Sequence, residues 1–388
     1  MRFQSYINTA LLILQGYNGQ LPFAHYLKQY FSMHKKHGST DRKLISHACY
    51  CWFRTGQSLR DVESMLRIKT ALFLCMDEAG AWASLFDTTW LEHWPTDMQE
   101  RVAFVEQIIP SFNIINIFEW NEALSKSIDQ QEFTLSHLVQ PDLFIRIRPG
   151  YEKKVPATLT RENISFSQLN THCLALPNAT KVESILMINK EIVIQDYSSQ
   201  RVGELMAMLP DDNKPMNVWD CCAASGGKSI LAKDILNHIV LTASDIRLSI
   251  IHNLKQRFTE AGIKQYKAVV ADAGKPLPIE KKYQLIICDA PCSGSGTWGR
   301  TPEQLSYFKT EKIDEYASLQ KKIAGNVVAH LETGGYLLYI TCSVFEKENE
   351  EVVDDICNNH PVELVESRLL HGYDLKADTM FAALFKRR

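Results

Sequence analysis

From residue 217 onward, short apolar runs alternate with stretches of helical periodicity, and no other feature limits the fold so much. Residues 217–219, 239–243, 268–270, 284–288 and 336–340 read as strands. Residues 228–237 and 248–261 read as helices. So do residues 312–331, where Ile313, Tyr316, Leu319, Ile323 and Val327 fall on one face. Repeated βα units bury both faces of their strands only in a parallel sheet with helices on each side. The expected class is α/β: a Rossmann-like domain with a mostly parallel sheet, over residues 204–388. Ligands of such sheets sit at the carboxyl ends of the strands, so the residues just after each strand are the ones to read for chemistry.

Upstream the pattern changes. Residues 1–130 read as an all-α domain. Apolar residues recur at three and four (Leu44, Ala48, Cys51, then Leu59, Val62, Met65, Leu66), and Ser39-Thr40-Asp41 offers a helix start. Residues 131–203 read as a small α+β module. In it, 143–148 alternates before Pro149-Gly150, and 185–194 reads as a strand pair around Asn189-Lys190. Residues 209–217 read as a loop.

Composition excludes several classes. Ten cysteines form no CxxC pair and no Cys/His cluster with zinc spacing. The expectation is free thiols in a reducing cytoplasm, with no disulfide framework and no metal. The apolar run at 10–14 is too short for a signal segment, and no stretch approaches the roughly 20 residues of a membrane span. The net charge of −3 leaves any nucleic-acid surface to local patches. Two basic groups stand out: Lys28, Lys35, Lys36, Arg42 and Lys43, and then Arg146, Arg148, Lys153 and Lys154. Each reads equally as a plain solvated face.

The run Asp220-Cys221-Cys222-Ala223-Ala224-Ser225-Gly226-Gly227-Lys228 leaves one strand and opens a helix. Small residues let a ligand approach the backbone, and a helix start offers free N–H groups to a carboxylate. The spacing is not that of a nucleoside-triphosphate loop. Asp245, ending the next strand, suits a ribose diol. Asp272, after the third, could accept from an adenine amino group. Carboxylates at three successive strand ends need partners, which a purely structural turn does not explain.

Two more strands run into Asp289-Ala290-Pro291-Cys292-Ser293 and Thr341-Cys342-Ser343. Cys292 and Cys342 are thereby expected at the edge that carries the glycine-rich loop, whereas Cys288, inside its strand, reads as inert core. A thiolate placed there can add to carbon 6 of a cytosine, making carbon 5 nucleophilic enough to take a sulfonium methyl. A neighbouring carboxyl can serve ring nitrogen 3, and a base must then remove the carbon 5 proton. The residues alone do not choose between the two cysteines.

These segments resemble the RsmB/Sun family of RNA cytosine-5 methyltransferases. The loop is similar to that family's CAAPGGK, with Ser225 in place of proline, and the two cysteine segments match DAPCS and TCS. Gln195-Asp196-Tyr197-Ser198-Ser199-Gln200 resembles its QD-x-x-SQ segment, and residues 371–388 its closing strand. Residues 41–54 resemble the NusB-like helical domain of such enzymes, and 141–148 the start of their middle module. The resemblance implies S-adenosylmethionine held by Cys222, Ala223, Ala224, Ser225, Gly226, Gly227, Lys228, Asp245, Asp272 and Asp289. It implies Cys342 as nucleophile and Cys292 in product release, with Asp289 claimed by both cofactor and catalysis. The implied partner is RNA, ribosomal small-subunit RNA first. Trp298-Gly299-Arg300-Thr301-Pro302 departs from the family, which often has two basic residues there. Rival expectations are a transfer RNA or DNA substrate, or an RNA-binding assembly factor of weak activity. Amino-group methylation of adenine would need an Asn/Asp-Pro-Pro-aromatic segment, which Asp289-Ala290-Pro291-Cys292 is not.

Overall fold

The computed structural model describes residues 2–210, 214–276 and 281–388. The chain divides into two compact units. One comprises residues 1–122, 129–140 and 297–309, and the other residues 123–128, 141–296 and 310–388.

The first unit is helical. Its longer helices are Arg2–Gly16, Phe23–Met33, Ser39–Arg54, Ser64–Cys75 and Met98–Ile108. The Asp41 side chain accepts from the Gly38 backbone N–H at the start of Ser39–Arg54, at 3.0 Å, satisfying a donor left free by the helix start. Ile45, Ala48 and Cys49 are the inward stripe of this helix. Phe73 packs edge-on against Trp90 and Trp94, with ring centres 5.0 and 5.1 Å apart. Arg54, 3% exposed, donates to the carbonyls of His137, Val139 and Gly299 and to the Gln140 side chain, so it ties three separate stretches of this unit together.

The second unit holds two sheets. The smaller is antiparallel, β2-β3-β1-β4, with β1 Leu143–Ile147, β2 Ser167–Asn170, β3 Cys173–Leu176 and β4 Ile192–Ile194. Ile145, Ile147, Leu174 and Leu176 of this sheet bury against Val155 and Leu159 of helix Lys154–Arg161. The larger has the order β10-β11-β9-β8-β5-β6-β7. Its strands are β5 Met216–Asp220, β6 Ile239–Asp245, β7 Tyr266–Val270, β8 Tyr283–Asp289, β9 Leu331–Thr341, β10 Val362–Leu370 and β11 Met380–Arg387. The five strands β5 to β9 run parallel, and β11 and β10 extend the sheet antiparallel. Alternate residues of one strand enter two cores. Leu285 and Ile287 meet helices Tyr197–Met206, Gly227–Leu236 and Leu248–Glu260, while Ile286 and Cys288 meet Glu311–Val328 and Glu350–Asn359. That two-sided burial is why these strands read as unbroken apolar runs.

Four expectations need correction. The pair expected at 185–194 is a single strand, β4. Before it lies a turn in which Asn189 has φ 63° and the buried Glu191 side chain accepts from Met187 N–H, so these residues serve a tight turn instead of a ladder. The helix expected to reach residue 331 ends at Val328. Leu331 instead opens β9, opposite Tyr283 of β8. The loop expected at 209–217 gives way to β5 at Met216, and residues 211–213 lie outside the described residues. Arg146 and Arg148 are no solvated basic face. They pair with Asp234 at 2.6 and 2.7 Å, and all three side chains are 6–12% exposed. Among the described residues, no helix is long and apolar enough to cross a membrane.

Candidate active site

The strand order reverses between β5 and β8: the chain steps outward through β6 and β7, then returns to the other side of β5. A crevice opens at the carboxyl ends beside such a reversal. The glycine-rich loop leaves β5 and the Asp289–Cys292 segment leaves β8, one on each side of the reversal, while Asp245 ends β6 and Asp272 and Cys342 follow β7 and β9 at the same carboxyl edge.

The loop is shaped by two left-handed residues, Ala224 at φ 44° and Gly226 at φ 86°. Ala223 N–H donates to the Ser244 carbonyl of β6 at 2.8 Å, and Gly226 N–H closes the turn on the Ala223 carbonyl at 2.8 Å. A Cβ on Gly226 would stand 2.5 Å from Phe258, so backbone angle and space both demand glycine. A Cβ on Gly227 would meet nothing within 4 Å, which leaves open room at the first turn of the helix. Ser225 is not loose. Arg257 Nη1 donates to its hydroxyl at 2.6 Å and its carbonyl at 3.2 Å, while Arg257 Nε donates to the Asn189 side chain at 3.1 Å. Hydrogen bonds thus supply the stiffness that a proline ring would otherwise give.

Four carboxylates follow the strands. Asp220, fully buried, accepts from Ser229 Oγ at 2.6 Å on one oxygen, and its other oxygen has no hydrogen-bond partner. Burial, aided by nearby Asp289, pushes it up to about 7. Asp245 accepts from Arg247 N–H at 2.9 Å, and Asp272 from Gly274 N–H at 2.9 Å. Asp289 accepts from the buried Lys228 ammonium at 3.1 Å, and the same Lys228 donates to Ser199 Oγ at 2.8 Å. Lys228, from the loop, and Asp289, from β8, therefore bridge the crevice. Ser199 and Arg257 were not singled out from the sequence. Only the position of Ser199 inside the QD-x-x-SQ segment hinted at it, and nothing in the sequence marks Arg257.

Cys292 and Cys342 lie 50 residues apart in the chain, and their sulfurs are 3.2 Å apart. Adjacent parallel strands deliver them, since Ala290 N–H donates to the Ile340 carbonyl and Gly296 N–H to the Cys342 carbonyl, each at 2.9 Å. Both are partly exposed, whereas Cys288 is fully buried. The hydrogen bond that it shares with Cys342, together with burial, pushes the Cys292 thiol well up, so Cys292 holds its proton. Two soft sulfurs, one held protonated, next to an ammonium–carboxylate pair can hold and release an electrophilic ring.

Residues 205–384 match the family model of the 16S rRNA methyltransferase RsmB/F. The ribosomal RNA small subunit methyltransferase B of Proteus mirabilis is 27% identical over 226 residues, 55% of this chain and 51% of that protein. The chain thus spans about half the length of the curated relative it matches. The crystal structure of PH0851 superposes with a TM-score of 0.70 over 94% of this chain and 95% of its own, at 19% identity. That of NSun6 from Pyrococcus horikoshii with SFG does so with a TM-score of 0.60 over 69% of this chain and 97% of its own, at 15% identity. At these identities the two structures speak for the fold alone. The two paired cysteines and the loop after β5 all lie within residues 205–384, the stretch that is similar to the 16S rRNA methyltransferases RsmB/F.

Proposed function

We propose that this protein transfers a methyl group from S-adenosylmethionine to carbon 5 of a cytosine in RNA, ribosomal small-subunit RNA first, through a covalent Cys342 adduct. One observation carries the reading: two thiols from separate strand ends stand 3.2 Å apart, on the bank facing the glycine-rich loop. One cysteine would serve a nucleophile, but a release step as well calls for two.

Cys222, Ala223, Ala224, Ser225, Gly226, Gly227 and Lys228 form the cofactor cradle, and the open space over Gly227 fits a ligand's main chain. Asp245 takes the ribose hydroxyls and Asp272 the adenine amino group. When bound, S-adenosylmethionine supplies the electrophilic methyl. Cys342 adds to carbon 6 of the flipped cytosine, and unpairing the base lets it reach the thiol. Ring nitrogen 3 takes up a proton as carbon 6 is attacked, and Asp289, held by Lys228, is the carboxyl placed to pass it on. Once a base has removed the carbon 5 proton, Cys292, close enough to touch the adduct sulfur, assists the expulsion that frees Cys342. Residues 1–130 act as a NusB-like RNA-binding domain. The ten free cysteines suit a reducing, cytoplasmic setting.

The test is transfer of labelled methyl to ribosomal RNA from cells lacking this protein. Wild type should label cytosine, Cys342→Ala should be inactive, and Cys292→Ala should trap a protein–RNA adduct. Full transfer by Cys342→Ala would reverse the assignment of the nucleophile.

A further inference from the structure

Beneath the two cysteines lies a carboxylate that neither the motifs nor the proposed mechanism uses. Glu348 is fully buried, and the groups that meet its oxygens are all neutral donors. Its Oε2 accepts from the backbone N–H of Ser293 at 2.9 Å and from Gln320 Nε2 at 2.8 Å. Its Oε1 accepts from Ser343 Oγ at 2.7 Å. Ser293 directly follows Cys292, and Ser343 directly follows Cys342. The same Gln320 Nε2 donates to the carbonyl of Pro291, the residue before Cys292, at 2.9 Å. The next residue, Asn349, donates to the Ser343 carbonyl at 3.0 Å. Each oxygen of one side chain thus grips a different cysteine loop.

We infer that Glu348 is a positioning residue that locks the two cysteine loops in register, so that both sulfurs address one bound base. A buried carboxylate is costly unless its oxygens are met by donors, and here the donors are the two loops themselves. The loops also meet directly, through Gly296 N–H on the Cys342 carbonyl at 2.9 Å and Ser293 Oγ on Ser343 Oγ at 3.2 Å. The shared acceptor adds the part of the tie that is costly to break, because moving either loop strands a buried carboxylate. The inference rests on the two-cysteine chemistry proposed above for its catalytic meaning, but the register itself can be read without RNA or cofactor.

The experiment is oxidation of purified full-length protein by diamide. The two thiols form one S–S bond, and their two hydrogens pass to the azo bond of diamide, which becomes a hydrazine. A quantified Cys292–Cys342 linked peptide reports how often the sulfurs meet. Glu348→Gln keeps the clamp: the amide oxygen still accepts from Ser293 and Gln320, and its NH2 can donate to Ser343 Oγ once that hydroxyl rotates. It also removes the charge, so thiol ionisation is matched in the comparison with Glu348→Ala. Glu348→Ala should link about tenfold more slowly than Glu348→Gln, on the scale that loss of positioning costs. In methyl transfer, the glutamine variant should restore most of what the alanine variant loses. Equal linking rates in the two variants would overturn the clamp. If Glu348→Ala does not melt cooperatively, Ser343→Ala, which removes the Oε1 arm along with that hydroxyl's contacts to Ser293 and Ser295, is read beside Ser295→Ala: slower linking in Ser343→Ala than in Ser295→Ala supports the clamp, and equal rates refute it. A wild type that links rapidly yet methylates no cytosine would leave the clamp standing and sink the proposed reaction instead.

Discussion

Asp220 is the last residue of β5, with one oxygen on Ser229, the other unpartnered, and no exposure to solvent. Such a carboxyl prefers its proton, and burial raises it to about 7. The native protein therefore keeps a proton that the unfolded chain releases near pH 4. The stability this group contributes is complete below about pH 4 and is lost as pH rises through about 7. Wild-type urea midpoints should fall between pH 5 and pH 8, and Asp220→Asn should flatten that fall. An identical slope in the asparagine variant would place the titration on another group. The strand-end acid was legible from sequence, but its depth was not, since burial depends on the helices that cover it. Glu348 is the sharper case. It sits in the run Glu346-Lys347-Glu348-Asn349-Glu350-Glu351, which reads as an exposed charged turn, while its side chain lies at the centre of a hydrogen-bond network.

Among the elements, what was legible is what local pattern controls. The strands β5 to β8 and the helices Gly227–Leu236 and Leu248–Glu260 fall within a residue or two of their expected bounds, because apolar runs buried on both faces and helical stripes are strong local signals. What was missed is set by partners distant in sequence. β10 is an edge strand that carries an exposed Glu363 and the half-buried Glu366 and Arg368, a composition that protects an edge but hides the strand. Arg146, Arg148 and Asp234 belong to the same class. The arginines come from β1 and the residue after it, and Asp234 from the helix that begins at the glycine-rich loop. The basic residues were visible, but their shared acid lay more than 80 positions away. Removing it by Asp234→Ala would leave two guanidinium groups of low exposure facing no anion, at a cost of about 3–5 kcal/mol. Equilibrium urea unfolding should show that loss. A cost near zero would mean that water reaches both arginines.

At the scale of the whole molecule, the family match covers residues 205–384 and takes in only residues 297–309 of the helical unit, so a role for the rest of that unit rests on its own surface. Net charge is −3, which opposes general attraction to RNA, so binding must come from local concentrations of positive charge. In the helical unit, Lys28, Lys35, Lys36 and Lys43 are exposed, and Arg42 sits over the Phe31 ring with its Nε on the His37 carbonyl. Of the two basic groups visible in the sequence, this one keeps its lysine charges toward solvent, whereas in the other the arginines are spent on Asp234. Each phosphate of a single-stranded RNA that the protein no longer neutralises lowers the slope of log K against log salt by about 0.7. Reversing Lys35, Lys36 and Lys43 to glutamate together should weaken binding to a ribosomal RNA fragment at low salt and flatten that slope. Thermal melting and cofactor affinity should stay at wild-type values, because none of the three lysines is buried or in the proposed cofactor cradle. Filter binding across a potassium chloride series reads both quantities at once. A slope equal to that of wild type would show that phosphates do not touch this surface, and the helical unit would then be denied an electrostatic share in RNA capture.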